Sequence, residues 1–337
     1  MIHFKDDYST GAHPNVLEAL AKSNDGLMPA YGQDPVSEDA RSLIMSELGR
    51  DCDIHFVASG TMANLLMIAS ALRPHEAVIS VDGGHIATHE AGSIEATGHK
   101  IISVPAENGK LTADVLLRTI EDNTMPPHMA KPRLVYISNA TETGTVYTKS
   151  EVTQISRICR DKGLYLMMDG ARLAAALAAN SNDLTLADMA ALTDMFWIGG
   201  TKAGALMGEA VVLSHPDLKP DFGFHVKQRG ALLAKGRAIG AQFKALFTNG
   251  LYVANGRHAN QAAEALSRGI LDKGFELAEP TESNQVFPIL PNAVIEKLEL
   301  TSGFYVWGPA GDDHSIIRLV TSWATTQDEI DGFLGAL

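Results

Sequence analysis

Through the middle of this chain, short runs of apolar residues bounded by glycine or polar residues alternate with longer segments whose apolar residues return every three or four positions. The first pattern suits buried strands and the second suits amphipathic helices. Taken in order it predicts strand 55–58, helix 61–73 closed by Pro74, strand 77–81, a helix near 85–97, strand 101–104 and helix 111–121. Strand 133–138, helix 149–162, strand 164–168, a helix near 183–191, strand 195–198 and a strand near 209–213 follow. Regular alternation of this kind predicts an α/β fold, with a mostly parallel seven-stranded sheet sandwiched by helices.

The two ends of the chain read differently. From Met1 to about Pro35 it is polar and rich in Gly, Pro and Tyr, which predicts an extended arm with a short helix from Pro14 to Ala21. A helix from Val36 to Leu48 follows, with Ala40, Leu43, Ile44 and Leu48 on one face. From Gly256 an Ala-rich helix runs to Gly274, and the segments at 275–278, 284–290, 304–307 and 316–323 read as strands with helices at 292–300 and 326–336. The expected division is therefore residues 1–250, the arm and large domain, and residues 251–337, a smaller C-terminal α+β domain.

Composition narrows the functional classes. At 337 residues and 45% hydrophobic content the chain can bury a large core, and no stretch approaches a membrane-spanning helix. A net charge of -13, from 40 acidic against 27 basic residues, argues against binding nucleic acid or an anionic membrane through the overall field. Cys52 and Cys159 lie far apart without metal-ligand spacing, and the opening Met1-Ile-His-Phe-Lys-Asp-Asp has acids where a secretory segment needs an apolar run. A cytoplasmic location is the expectation.

The chemistry concentrates at predicted strand ends. Met195 to Ile198 lead into Gly199-Gly-Thr-Lys-Ala-Gly204, where Lys202 sits among small residues that leave room for a bulky ligand. A lysine beside a desolvated pocket loses proton affinity and becomes an amine nucleophile. The strand 164–168 ends at Asp169, followed by Gly170 and Arg172. Ser59-Gly-Thr61 open a helix, a place suited to a phosphate. In open α/β sheets ligands gather beyond the strands' carboxyl ends. A phosphate cup, then a strand-end acid, then a lysine is the order expected of a pyridoxal phosphate enzyme, with Asp169 at the ring nitrogen and Lys202 forming the Schiff base.

Other groups carry alternatives. His85 and His89 stand four apart, a spacing that can bind zinc, but no third ligand is evident and a ring stacked on the cofactor suits His85 better. Arg318 lies in an apolar strand and calls for an anion. Tyr31, in the loop Tyr31-Gly-Gln-Asp34, is a candidate substrate contact, and the basic stretch from His225 to Arg237 is either a solvated helix face or a source of cations for a phosphate. Neither a dinucleotide glycine fingerprint nor a nucleotide P-loop is present. A metal-dependent hydrolase using His85 and His89, and a silent cofactor-binding protein, remain as readings from other classes.

Together, Phe56 to Leu65, His85-Ile86 with Glu90 and Gly92, Met168-Asp-Gly-Ala-Arg172, Gly199-Gly-Thr-Lys202 and Arg318 to Trp323 resemble the threonine aldolase and β-eliminating lyase family. The resemblance runs over nearly the whole chain. It implies an aspartate aminotransferase-like fold (fold type I) and the cofactor pyridoxal 5'-phosphate, with Lys202 as Schiff-base lysine, Asp169 at the ring nitrogen, Ser59, Gly60 and Thr61 at the phosphate and His85 on the ring. Arg172 and Arg318 would meet the substrate carboxylate, and Arg229, or in second place Arg237, would reach the phosphate from a neighbouring subunit of a dimer or tetramer with shared active sites. The implied reaction cleaves a β-hydroxy-α-amino acid such as threonine to glycine and an aldehyde, with His85 assisting removal of the hydroxyl proton. The alternatives are β-elimination, racemisation or transamination of another amino acid. The chain has Asp6-Asp7 where the family commonly has Ser-Asp, and Asn139-Ala-Thr-Glu142 where many members have Thr-His-Asn. Asp6 is thereby a candidate either to repel the substrate carboxylate or to recognise a different substrate.

Overall fold

A computed structural model describes residues 2–337. Its main sheet has seven strands in the order Asp53–Val57, Glu209–Leu213, Met195–Gly199, Tyr165–Asp169, Lys131–Ser138, Glu76–Val81 and Lys100–Val104. All neighbours run parallel except at Glu209–Leu213, which is antiparallel to both strands beside it. Strands buried on both faces explain the unbroken apolar runs. Alternate residues serve two cores: Val135, Ile137, Leu166, Met168, Phe196 and Ile198 pack on one face, and Leu134, Tyr136, Tyr165, Met167, Met195 and Trp197 on the other.

Local rules set the helix ends. Helix Lys149–Lys162 opens on a capping box of Thr148 and Glu151 and closes at Gly163 with φ 66°. Helix Pro35–Leu48 has Pro35 in its first turn, and the Asp34 side chain accepts from Ser37 N at 2.8 Å.

Three expectations need correction. The helix predicted near 85–97 is a single turn, His85–Thr88, followed by a 3-10 turn at Glu95–Thr97, because Ala91 and Gly92 adopt positive φ and break the run. The strand predicted over 284–290 is interrupted: Gln285–Val286 pairs with residues 319–320, and Pro288–Pro291 pairs with 314–316. The first residues depart from the expected division, since Ile2–His3 pairs in parallel with Ser302–Gly303. Phe4 is fully buried among Ala263, Leu266, Leu319 and Phe333, its ring edge-on to Phe333 at 5.6 Å. Burying such a ring is worth roughly 1.5–3 kcal/mol, so the arm's start is tied to the C-terminal core.

That C-terminal core packs on an antiparallel sheet of Glu276–Leu277, Gln285–Val286, Pro288–Pro291, Tyr305–Pro309 and His314–Val320. Helix Leu251–Asp272 lies along it. Among the described residues no helix is long and apolar enough to cross a membrane.

Candidate active site

Parallel pairing brings Ser138 level with Asp169, so the strands Lys131–Ser138 and Tyr165–Asp169 end together. Lys202 follows the next strand, Met195–Gly199, on the 3-10 turn Thr201–Ala203. This turn is held from below and from the side. Glu209 accepts from Gly200 N and from the Thr201 hydroxyl, both at 2.8 Å, and Asn255 Nδ2 donates to the Ala203 carbonyl at 2.8 Å. A Cβ at Gly170 would collide with the Trp197 carbonyl oxygen, which is why a glycine follows Asp169 where the two strand ends close on each other.

Asp169 is 3% exposed and carries a full set of donors. The Tyr136 hydroxyl donates at 2.5 Å, Asn64 Nδ2 at 3.0 Å and the Ala171 amide at 2.9 Å. Burial raises its proton affinity, and the bonds from Tyr136 and Asn64 oppose that rise. Trp197 Nε1 donates to Asn64 Oδ1 at 2.9 Å, and Asn64 Nδ2 also reaches Glu90 Oε1 at 2.8 Å. Glu90 in turn faces His85 Nδ1 at 2.9 Å and accepts from the Ser93 hydroxyl at 2.7 Å. One hydrogen-bonded chain therefore runs from Trp197 through Asn64 to both Asp169 and the His85 ring.

Asn64, Tyr136, Trp197 and Glu90 were not assigned roles from sequence. The available signal was a polar atom inside an apolar run, as Asn64 between Ala63 and Leu65, or Tyr136 between Val135 and Ile137.

Arg172 is buried and grips Asp7 with two bonds, Nε to Oδ2 at 2.8 Å and a second guanidinium nitrogen to Oδ1 at 3.1 Å. Asn284 donates to the same carboxylate at 2.9 Å. Burial opposes the charge on Asp7, but Arg172 and Lys202 outweigh it and the carboxyl is held below its usual range. The acid that enters the site is thus Asp7. Asp6 is placed otherwise than expected: its oxygens accept from the Tyr8 and Ser9 amides and the Ser9 hydroxyl, a turn-capping role.

Lys202 is half-buried, and its ammonium lies 5.9 Å from the ring centre of Tyr8. Burial lowers its proton affinity and the Arg172 charge lowers it further, with partial relief from Asp7, Glu142 and Asp169. Arg318 stands on strand His314–Val320, paired across to Tyr305, with its guanidinium 5.3 Å from the Tyr305 ring centre and 4.8 Å from that of Trp307. Its buried Nε has no hydrogen-bond partner, and burial together with the Arg172 charge lowers its proton affinity. Two guanidinium groups close enough to repel, one of them without a carboxylate, mark a place for an anion.

Ser59 caps helix Gly60–Ala71, its side chain accepting from Met62 N, so Gly60 and Thr61 form the helix's first turn beyond strand Asp53–Val57. His89 Nδ1 lies 2.6 Å from the Thr88 hydroxyl and its ring stacks on His85 at 5.8 Å. Both imidazoles thus have Nδ1 engaged within the protein. Three further candidates lie apart from this cluster within one chain. Tyr31 is exposed, with Lys227 over its ring and its amide bonded to the Ala234 carbonyl. Arg229 bonds to His225 and Gln228, and its charge lowers the proton affinity of His99, just before the amino end of strand Lys100–Val104. Arg237 donates to the carbonyls of Asn24 and Gly26.

The family model for β-eliminating lyases matches residues 4–293. The chain belongs to the β-eliminating lyase family. It is 33% identical over 331 residues to the low specificity L-threonine aldolase of Pseudomonas sp. (strain NCIMB 10558), covering 97% of this chain and 94% of that relative. A solved structure of Leishmania major threonine aldolase superimposes with a TM-score of 0.97 at 47% identity, over 99% of this chain and 98% of that one. At 16% identity the Thermus thermophilus aspartate aminotransferase still reaches a TM-score of 0.71 over 100% of this chain and 90% of that one, which shows the shared aspartate aminotransferase-like fold. Asp169 ends one strand of the main sheet and Lys202 follows the strand beside it, and Arg172 and Arg318 stand close enough for their charges to repel.

Proposed function

We propose that this chain is a pyridoxal phosphate-dependent aldolase that cleaves a β-hydroxy-α-amino acid of the threonine or allo-threonine type to glycine and an aldehyde. The observation that carries the reading is Lys202, a lysine that follows the strand beside the one ending at the buried Asp169, in a pocket it shares with the paired Asp7 and Arg172, its proton affinity lowered by burial. The names borne by the Pseudomonas and Leishmania proteins support it.

The residues fit the cofactor. Asp169 has three hydrogen-bond donors and, among the described residues, no ion-pair partner, so a protonated ring nitrogen would supply the missing positive charge. Ser59, Gly60 and Thr61 offer hydroxyls and a helix N-terminus to the phosphate. When bound, pyridoxal phosphate supplies an aldehyde for the substrate amine and a ring that takes up electrons released at Cα.

The protein's part is to prepare and align. Burial beside Arg172 keeps the Lys202 amine closer to its reactive neutral form. Asp169, held by Tyr136 and Asn64, would keep a proton at the ring nitrogen. His85, oriented by Glu90, would stack on the ring. Arg318, whose buried Nε lacks a partner, would take the substrate carboxylate, and Arg172, already paired with Asp7, would add its positive charge beside it, which aligns the bond to be cleaved. Arg229 or Arg237 and Tyr31, lying apart from their own site, are assigned to the site of a neighbouring subunit in a dimer or tetramer. The working unit is further proposed to be cytoplasmic, divided near residue 250 with the first residues joined to the C-terminal part, and with only a small amino acid as ligand.

The test is a panel of amino acids offered to the loaded enzyme and scored for aldehyde, glycine, pyruvate and ammonia. Aldehyde and glycine in equal amounts from a β-hydroxy amino acid are expected. Pyruvate with ammonia would make it a β-eliminating enzyme instead, and no turnover of any amino acid would leave a silent binder.

A further inference from the structure

Four carboxylates of the site and its supporting network are already engaged. Asp7 is paired with Arg172, Asp169 accepts from Tyr136 and Asn64, Glu90 serves Asn64, His85 and Ser93, and Glu209 holds the lysine turn. Glu142 is different: it is half-buried, and among the described residues it makes no hydrogen bond or ion pair. It rides on the turn Thr141–Gly144, which directly follows strand Lys131–Ser138 beside Asp169.

That turn is held firmly. The Thr141 amide donates to the Thr145 carbonyl at 2.9 Å, and Gly144 N to the Thr141 carbonyl at 3.0 Å. Gln285 Nε2 donates to Thr141 O at 3.2 Å, the Ser283 hydroxyl to Gly144 O at 2.7 Å, and Val146 N to the Glu282 carboxylate at 2.9 Å. The small sheet therefore clamps the turn, and the Glu142 side chain is the polar group it leaves over. The turn follows the strand end that lies level with Asp169, and the Glu142 charge acts on His85, Arg172, Lys202 and Arg318, groups delivered by four separate elements, so the carboxylate stands beside the site.

We propose that Glu142 is a catalytic residue, the base that accepts the β-hydroxyl proton of the substrate. This rests on the aldolase reading. The proton passes from the hydroxyl to the Glu142 carboxylate and the oxygen's electron pair becomes the carbonyl bond of the aldehyde. The Cα–Cβ bond breaks, its pair is taken up on the cofactor side, and a solvent proton returns to Cα while Glu142 releases its own to water. His85 is less suited to this step. Its Nδ1 is already engaged by Glu90, and although burial opposes its charge, the Glu90 bond and the Asp169 and Glu142 charges prevail and raise its proton affinity, so it holds a proton more readily than a free imidazole.

The experiment compares holoenzyme with Glu142→Gln and Glu142→Asp. For Glu142→Gln, kcat on the β-hydroxy amino acid is expected to fall by about 100-fold or more, within the range of general-base loss. Glycine, which has no hydroxyl, should bind by calorimetry within about threefold of wild type, and Glu142→Asp should recover part of kcat. A Glu142→Gln variant within about threefold of wild-type kcat overturns the assignment, as does a parallel loss of glycine affinity in both variants, which marks a structural role. Wild-type enzyme that releases no aldehyde from any β-hydroxy amino acid overturns the aldolase reading and Glu142's role with it, whereas aldehyde release that is unaffected in Glu142→Gln overturns only the latter.

Discussion

Arg172 and Arg318 stand on opposite walls of one site and are satisfied in opposite ways. Arg172, from the large sheet, is locked to Asp7 by two bonds, and Asn284 secures the acid. Arg318, from the small sheet, lies over Tyr305 and Trp307 with a buried nitrogen unpaired. A charge completed within the protein supports the structure, whereas a charge completed only by a ligand supports binding. Substitutions on the first wall should therefore be felt in folding, and substitutions on the second in kinetics.

The largest effect is expected between the walls. Lys202→Ala should remove nearly all turnover and the visible band of the loaded enzyme, because the turn between Gly199 and Gly204 carries no other amine. A borohydride-reducible adduct persisting in that variant would place the covalent link elsewhere. Asp169→Asn should bind cofactor yet lose about three orders of magnitude in kcat, roughly 4 kcal/mol, since an amide cannot hold the ring proton. Near-normal kcat would remove Asp169 from the mechanism.

The two walls are then compared directly. Asp7→Asn leaves Arg172 buried without its counter-ion and should cost about 3–5 kcal/mol in urea unfolding. Arg318→Leu should leave unfolding within about 1 kcal/mol of wild type, while kcat/KM falls by about 2–4 kcal/mol and Arg318→Lys recovers only part. If Arg318→Leu unfolds as readily as Asp7→Asn, the contrast between the walls is lost.

The smallest effect sharpens the picture beneath the lysine. Burial raises Glu209 from its ordinary 4.5 to about 7. Between those values the native state keeps a proton that the unfolded chain has given up, so the contribution of Glu209 to stability falls as pH rises through this window. Relative to Glu209→Gln, the wild-type protein should lose on the order of 3 kcal/mol between about pH 5 and about pH 8, read from thermal unfolding of the cofactor-free chain. A constant difference across that range would mean that Glu209 is ionised throughout.

The periodicity of apolar residues determined the seven-stranded sheet, the nature of each strand and the placing of Asp169 and Lys202 at strand ends, because strand burial and strand-end position are local consequences of composition. It also made Arg318 visible as a charge in an apolar run. What it left open was partnership. Asp6 and Asp7 are chemically alike and adjacent, yet one caps a turn while the other meets an arginine 165 residues away. Which of them enters the site depends on how the arm crosses the two sheets, and Phe4 decides that by seating in the C-terminal core. Asn64, Tyr136 and Trp197 become one network only when a helix and two strands that are distant in sequence pack on the same face of the sheet. Residue type declares what a side chain can do locally, but a hydrogen bond needs two groups within about 3 Å, and that separation exists only once the chain has folded.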